Sequence, residues 1–349
     1  MEFLSTYGLF LAQSVTIVVA IVVVLVAIVA MGSKGKSDKG QLDVINLSDA
    51  LEESAEAFRD TILSKDELKK RAKEQKKQEK LAKKEEKSDD AEGVNAKESS
   101  NLFVIDFNGS MDASQVEGLR REITAIVQCA EKGDEVLLRL ESPGGVVHGY
   151  GLAASQLQRI TKRDIPLTIA VDKVAASGGY MMACIANKIV AAPFAIIGSI
   201  GVIAQIPNFS KVLKKNDIDF EQVTAGQYKR TLTMFGENTE QDREKFQTEI
   251  DDVHGLFKNH VAKHREQLDM EKVATGETWY GEQALDIGLV DELSTSDDWL
   301  LDAAKDKTVY LVKYSVPKTL SQKLGKAASM SIENSLINAW QRMTQWRSF

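Results

Sequence analysis

From residue 102 to residue 191, short aliphatic and β-branched runs alternate with segments whose apolar residues recur at helical spacing. The run 102–107 predicts a buried strand, 115–129 a helix, and 135–141 a second strand broken by Ser142-Pro143-Gly144-Gly145. A helix over 151–160 leads to a further strand at 167–171. Strands joined in this way by helices have few packing solutions, and an α/β domain with helices covering a sheet is expected. The stretch 186–205 is apolar enough to suggest a membrane span, but Asn187, Lys188, Pro193, Gly198 and Gly201 interrupt it. Two short buried strands separated by a turn fit it better. A long polar helix is expected over 239–267, and another helix opening at Trp279-Tyr280-Gly281 and closing near Gly288.

Outside that region the composition changes twice. Residues 9–31 carry no charge and are dominated by Val, Ile, Leu and Ala. About 20 such residues suffice to cross a bilayer as a helix. Only Glu2 and no basic side chain precedes them, and the run is too long for a cleaved leader, so a retained anchor is expected. Lys34, Lys36 and Lys39 follow directly, and the positive-inside rule then places the C-terminal part in the cytoplasm. Residues 32–100 are expected to be a charged spacer and linker, since the Lys/Glu runs between 62 and 87 can pair on a solvated helix but cannot bury a core. Adhesion to anionic headgroups is the other use of such a stretch. These boundaries leave an N-terminal segment 1–8, a globular domain 101–300, and a strand with a helical tail over 301–349. A formal net charge of −7 argues against nucleic acid as a partner. Cys129 and Cys184 lie far apart in apolar surroundings, and both are expected to be buried thiols.

The chemistry concentrates where the strand 167–171 gives way to Ser177-Gly178-Gly179 and an apolar helix. A serine between a strand and a helix is exposed next to backbone N–H groups that favour negative charge, which is what a nucleophilic hydroxyl requires. The glycines permit a sharp turn and close approach of another backbone. A tight turn without chemistry remains the plainer use of the same residues. Ser142 is a weaker nucleophile candidate because Pro143, which has no N–H, follows it. His260 and His264 are four apart, a metal spacing without a third ligand in sequence, and are expected on a solvated helix face.

Ser142-Pro143-Gly144-Gly145, Ala176-Ser177-Gly178-Gly179-Tyr180, Gly198-Ser199-Ile200-Gly201-Val202, Tyr228-Lys229 and Gly288-Leu289-Val290-Asp291 occur in that order. In this the chain resembles the signal peptide peptidase A family of membrane-bound serine proteases. The resemblance implies a ClpP/crotonase-type domain behind a single membrane span and Ser-Lys catalysis without a cofactor or metal. It makes Ser177 the nucleophile, Lys229 the general base and Ser199 the hydroxyl that orients the lysine. The Gly144 N–H becomes an oxyanion donor, with the Gly178 N–H beside it. A lysine is ordinarily protonated at neutral pH, with a pKa of about 10.4, so the role requires Lys229 to be stripped of water. Lys173 is a poor alternative base near a solvent-facing strand end, Arg230 stays charged, and His148 has no counterpart in the family pattern. The resemblance also implies extended peptide substrates such as signal-peptide remnants or misfolded membrane-associated chains, a ring-like homo-oligomer, and a bacterial cytoplasmic membrane. Family members face the outer side of that membrane, against the charge rule. Two other functions compete: a catalytically silent membrane scaffold of the same fold, and a crotonase-like acyl-CoA enzyme, which needs no Ser177/Ser199/Lys229 set.

Overall fold

The computed structural model describes residues 40–64, 66–68, 70, 71, 73 and 100–316, with the isolated positions Gly8, Gln13, Thr16 and Ile17. Apart from those positions, the span expected over 9–31 lies outside the described residues, as do most of the charged run and the tail beyond 316. Among the described residues, no helix is long and apolar enough to cross a membrane. The chain divides into a unit of Leu42–Tyr314 and a second of Met1–Gln41 with Ser315–Phe349. Most of the second unit lies outside the described residues.

The strand–helix alternation produces a mixed α/β fold. Its first strand is β1 (Gln41–Asn46), followed by α1 (Leu47–Ile62), whose N-terminus is capped by the Asn46 side chain. Both fall in the stretch expected to be spacer. Next come β2 (Asn101–Asn108), α2 (Val116–Cys129), β3 (Glu135–Glu141), α3 (Val147–Thr161) and β4 (Leu167–Val171). A short strand β5 (Val174–Ala176) runs into α4 (Gly178–Ala183), and β6 (Lys188–Ala191) and β7 (Ile196–Gly198) follow as the expected pair of short strands. Beyond α5 (Ser210–Lys215) lies the long helix α6 (Glu240–His264), started by a Thr239/Asp242 capping box. The chain closes with α7 (Met270–Val273), β8 (Thr278–Tyr280), α8 (Gly281–Asp286), β9 (Glu292–Leu293), α9 (Ser296–Ala303) and β10 (Thr308–Ser315).

Seven strands make one sheet in the order β1-β10-β2-β3-β4-β6-β9. Its register aligns Ile105 with Leu138, Leu138 with Ile169, and Ile169 with Ile189, all in parallel pairs. That row is fully buried, and each such side chain contributes on the order of 1.5–3 kcal/mol. Parallel strands need crossover helices, which cover their faces. Accordingly α2 buries Val116, Leu119, Ile123 and Ile126, and α3 buries Tyr150, Ala153, Ala154, Leu157 and Ile160. A second sheet, β5-β7-β8, is bridged to the end of β3 through Ser142 and Ala175 and carries the chain into α4. Cys129 departs from expectation: it is exposed, because α2 ends there and its buried stripe stops at Ile126, whereas Cys184 is buried.

Glu122 shares the apolar face of α2 and is 6% exposed. Its Oε1 accepts the Tyr314 N–H at 2.7 Å, which ties β10 to α2. Burial pushes its carboxyl up to about 7, with Asp106 adding to the rise and the Tyr314 N–H opposing it. A carboxyl whose pKa is higher folded than unfolded contributes stability below its unfolded pKa and loses it as pH rises through the folded value. Glu122→Gln should therefore match the parent near pH 4.5 and exceed it by about 1–3 kcal/mol at pH 8. Urea denaturation at the two pH values measures this, and equal stability of the two proteins at pH 8 would show that the carboxyl titrates normally.

Candidate active site

Ser177 sits at the junction of β5 and α4 with φ 52° and ψ −119°, a conformation that non-glycine residues rarely adopt. Hydrogen bonds clamp it on both sides. Its N–H donates to the Gly198 carbonyl at 2.8 Å, and its own carbonyl accepts the Met181 N–H at 2.9 Å. All six residues of α4 are buried, so the helix cannot shift to relieve the strain. The side chain itself is half-buried, and no hydrogen-bond partner for its hydroxyl occurs among the described residues.

The turn 142–145 presses against this junction. Gly144 has φ +90°, and a Cβ there would stand 2.7 Å from the Gly178 nitrogen and from Ser177 Cβ, and 2.8 Å from the Ala176 oxygen. Only glycine fits. Ser142 stitches the turn to β5: its N–H donates to the Val174 carbonyl at 2.8 Å, and its carbonyl accepts the Ala176 N–H at 3.0 Å. The Ser142 side chain is fully buried, and its hydroxyl lies 2.6 Å from the Tyr150 hydroxyl, which donates to the Ser110 carbonyl at 2.8 Å. That chain leaves Ser142 no role as a nucleophile. Burial raises the Tyr150 phenol above its ordinary pKa and so keeps it a neutral donor.

Gly144 donates its N–H to Ser142 Oγ at 3.1 Å, turning it inward. The N–H groups of Gly145 and Gly178 meet no acceptor among the described residues. Gly145 as a free donor of the turn went unread in the sequence, where two adjacent glycines look alike. Packing also explains the other glycines: a Cβ on Gly178 would enter the Tyr150 ring, and one on Gly179 would lie 2.5 Å from the Ser142 carbonyl oxygen.

Ser199 follows Gly198, whose carbonyl anchors Ser177. It has φ 51°, is half-buried, and gives its N–H to the Glu277 carbonyl at 2.6 Å. The structure thus gathers Ser177, Gly144, Gly178 and the Gly198–Ser199 corner. Lys229 is placed differently. It is exposed on the segment between α5 and α6, with its N–H on the Gly226 carbonyl at 3.2 Å. There it borders an open cleft of about 830 Å³ lined by Ile206, Phe220, Val223, Leu232, Met234 and Phe235. The neighbouring Tyr228 ring stacks with Lys245, whose Nζ is 5.3 Å from its centroid. Lys173 is exposed and paired with Glu141 at 3.0 Å. His148 is exposed as well.

The Gly288-Leu289-Val290-Asp291 motif proves to be a brace. Asp291 takes two hydrogen bonds from the Arg265 guanidinium, at 2.9 and 2.7 Å, and one from the Ile189 N–H at 2.7 Å. Tyr180 of α4 donates to the Leu289 carbonyl at 2.9 Å, which ties the helix after Ser177 to the same corner.

Comparison with known proteins identifies the family. Residues 2–157 match Peptidase family S49 N-terminal, and residues 159–310 match Peptidase family S49. The probable protease SohB of Haemophilus influenzae is 49% identical over 349 residues, covering 99% of this chain and 98% of that protein. The probable protease SohB of Buchnera aphidicola subsp. Schizaphis graminum is 47% identical over 334 residues, covering 96% of each. Among solved structures, a mutant of the 1510-N membrane-bound stomatin-specific protease with a substrate peptide aligns over 65% of this chain and 96% of that chain, at 16% identity and a TM-score of 0.40. That likeness is too distant to inform the site. From full-length identity to proteins of this kind and from both matched segments, the chain belongs to peptidase family S49.

Proposed function

We propose that this chain is a membrane-anchored serine endopeptidase on a ClpP/crotonase-type fold, which hydrolyses peptide bonds through an acyl-enzyme on Ser177. The observation that carries the reading is Ser177 itself. A serine held at φ 52° with an unengaged hydroxyl, against a turn that admits only glycine, is strain kept for chemistry rather than for packing. In the reaction Ser177 Oγ attacks the scissile carbonyl while the Lys229 amine takes its proton. The lysine then returns that proton to the leaving amine, and water repeats the sequence on the ester. Gly178 N–H and the free N–H of the Gly144–Gly145 turn hold the oxyanion. Ser199 orients the lysine.

The exposed position of Lys229 in the single chain sets a condition on this mechanism. A bound peptide or a neighbouring copy must cover the 202–239 segment to strip the amine of water. That segment leaves Ile203 and Val223 79% and 96% exposed, with Phe209, Phe220 and Phe235 also open to solvent, as expected of a surface that another chain covers. A ring-like homo-oligomer anchored in the cytoplasmic membrane through residues 9–31 would supply the cover and admit only extended chains. Its substrates would be signal-peptide remnants or misfolded membrane-associated polypeptides with small or apolar side chains at the cleavage point. The same exposed lysine favours the second reading, a silent membrane scaffold.

Casein hydrolysis by the full-length chain separates the two. The wild type is expected to cleave, and Lys229→Ala to lose about 100-fold or more of kcat, the usual share of a general base. Undiminished cleavage by Lys229→Ala would remove the lysine from the mechanism, and no cleavage by the assembled wild type would favour the scaffold.

A further inference from the structure

Beneath the nucleophile helix, three side chains outside the site converge. Cys184 follows α4 directly and is fully buried, and His260 and His264 on α6 are half-buried against it rather than on a solvated face. Cys184 Sγ and one nitrogen from each imidazole all lie within 4.8 Å of one another, and the two rings are 4.7 Å apart between centroids. The hydrogen bonds around them fix the tautomers. His264 Nδ1 lies 2.8 Å from the His260 carbonyl, which can only accept, so Nδ1 carries the proton and Nε2 keeps an unprotonated lone pair that faces the Gln158 amide. By the same logic His260 Nε2, 3.0 Å from the Met181 carbonyl, carries the proton and leaves Nδ1 bare. Anchoring one ring nitrogen to a carbonyl while the other stays unprotonated is how protein imidazoles are readied for a cation. The remaining contacts are weaker: the thiol meets the Met181 carbonyl at 3.4 Å, and Gln158 Nε2 meets His264 Nε2 at 3.2 Å.

We propose that Cys184, His260 and His264 bind a thiophilic divalent cation of the zinc class. One sulfur and two imidazole nitrogens, with no carboxylate among them, select zinc, cobalt or a similar metal over magnesium or calcium. Metal–donor lengths of about 2.0–2.3 Å bring tetrahedral donors to within about 3.3–3.8 Å of one another. Binding therefore requires the side chains to rotate and close the present gap. The Cys184 thiol donates to the Met181 carbonyl, so it carries a proton in the absence of an ion. The cation replaces that proton: thiol and M²⁺ give the metal thiolate, and one H⁺ passes to solvent. The other titratable and charged groups facing the cluster are Arg265, held by Asp291, Tyr180 and Lys263.

Titration of the full-length chain with Co²⁺ tests the site. One equivalent should bind with a near-ultraviolet thiolate-to-cobalt band and the strong visible bands of a tetrahedral ion, and Zn²⁺ should displace it. His260→Gln and His264→Gln should each weaken binding about tenfold or more, and Cys184→Ser should remove the near-ultraviolet band. Cys129→Ser, which alters the exposed thiol, should change nothing. Should Cys184→Ser fail to fold, the band and its loss of affinity in His264→Gln decide the matter. No saturable binding, binding without the thiolate band, or affinity indifferent to His264→Gln would overturn the proposal.

Discussion

Ser177→Ala is expected to lower peptide hydrolysis by at least about 10³-fold while leaving stability within about 1 kcal/mol of the parent. The second half of the expectation is what distinguishes a nucleophile from a structural serine. The Ser177 hydroxyl has no partner among the described residues, so its removal breaks no bond there, and alanine keeps the same Cβ at the same φ of 52°. Ser177→Gly carries the argument further. Relief of the left-handed strain, typically about 1–3 kcal/mol, outweighs the extra chain entropy of glycine, so this variant should be as inactive as alanine and more stable than the parent by about 1 kcal/mol. Casein turnover and thermal unfolding of the three proteins measure both halves. A Ser177→Ala protein that cleaves at the parental rate would move the chemistry elsewhere.

Gly144→Ala should be strongly damaging at the site. The added carbon would fall 2.7 Å from the Gly178 nitrogen and 2.8 Å from the Ala176 oxygen, and both are backbone atoms that cannot swing aside. If the turn holds its place, the clash and the φ of +90° should together cost about 3 kcal/mol or more. If the turn retreats, it withdraws its oxyanion donor, worth about 10²-fold or more in rate. Gly151→Ala is the matched control. Nothing lies within 4 Å of a Cβ there, inside α3, so the change should stabilise by up to about 1 kcal/mol and leave turnover alone. Equal behaviour of the two variants would show that the turn does not press on Ser177.

Local signals served the central domain well. The aliphatic runs that become β2, β3 and β4, and the helical spacing of Val116, Leu119, Ile123 and Ile126, are visible because a parallel sheet covered on both faces demands them. The strand–Ser–Gly–Gly–helix order around Ser177 was legible for the same reason, though its backbone strain was not. What escaped was non-local. β1 lies within a charged stretch with exposed Leu42, Val44 and Ile45, and it joins the sheet beside β10, a strand more than 250 residues away. Glu122 looks like a solvent position until the Tyr314 N–H closes over it. His260 and His264 belong to a polar helix, and nothing in that helix announces Cys184 of an earlier segment. Lys229 illustrates the limit most clearly, since a two-residue motif carries no information about which surface covers it.

Exposing the full-length chain to a fluorophosphonate and locating the adduct by peptide mass spectrometry tests most directly whether Ser177 is the activated hydroxyl. A single phosphonylated residue is expected, at Ser177, and no adduct in Ser177→Ala. An adduct on Ser142 or Ser199 instead, or a chain that cleaves casein while Ser177 stays unlabelled, would contradict the account.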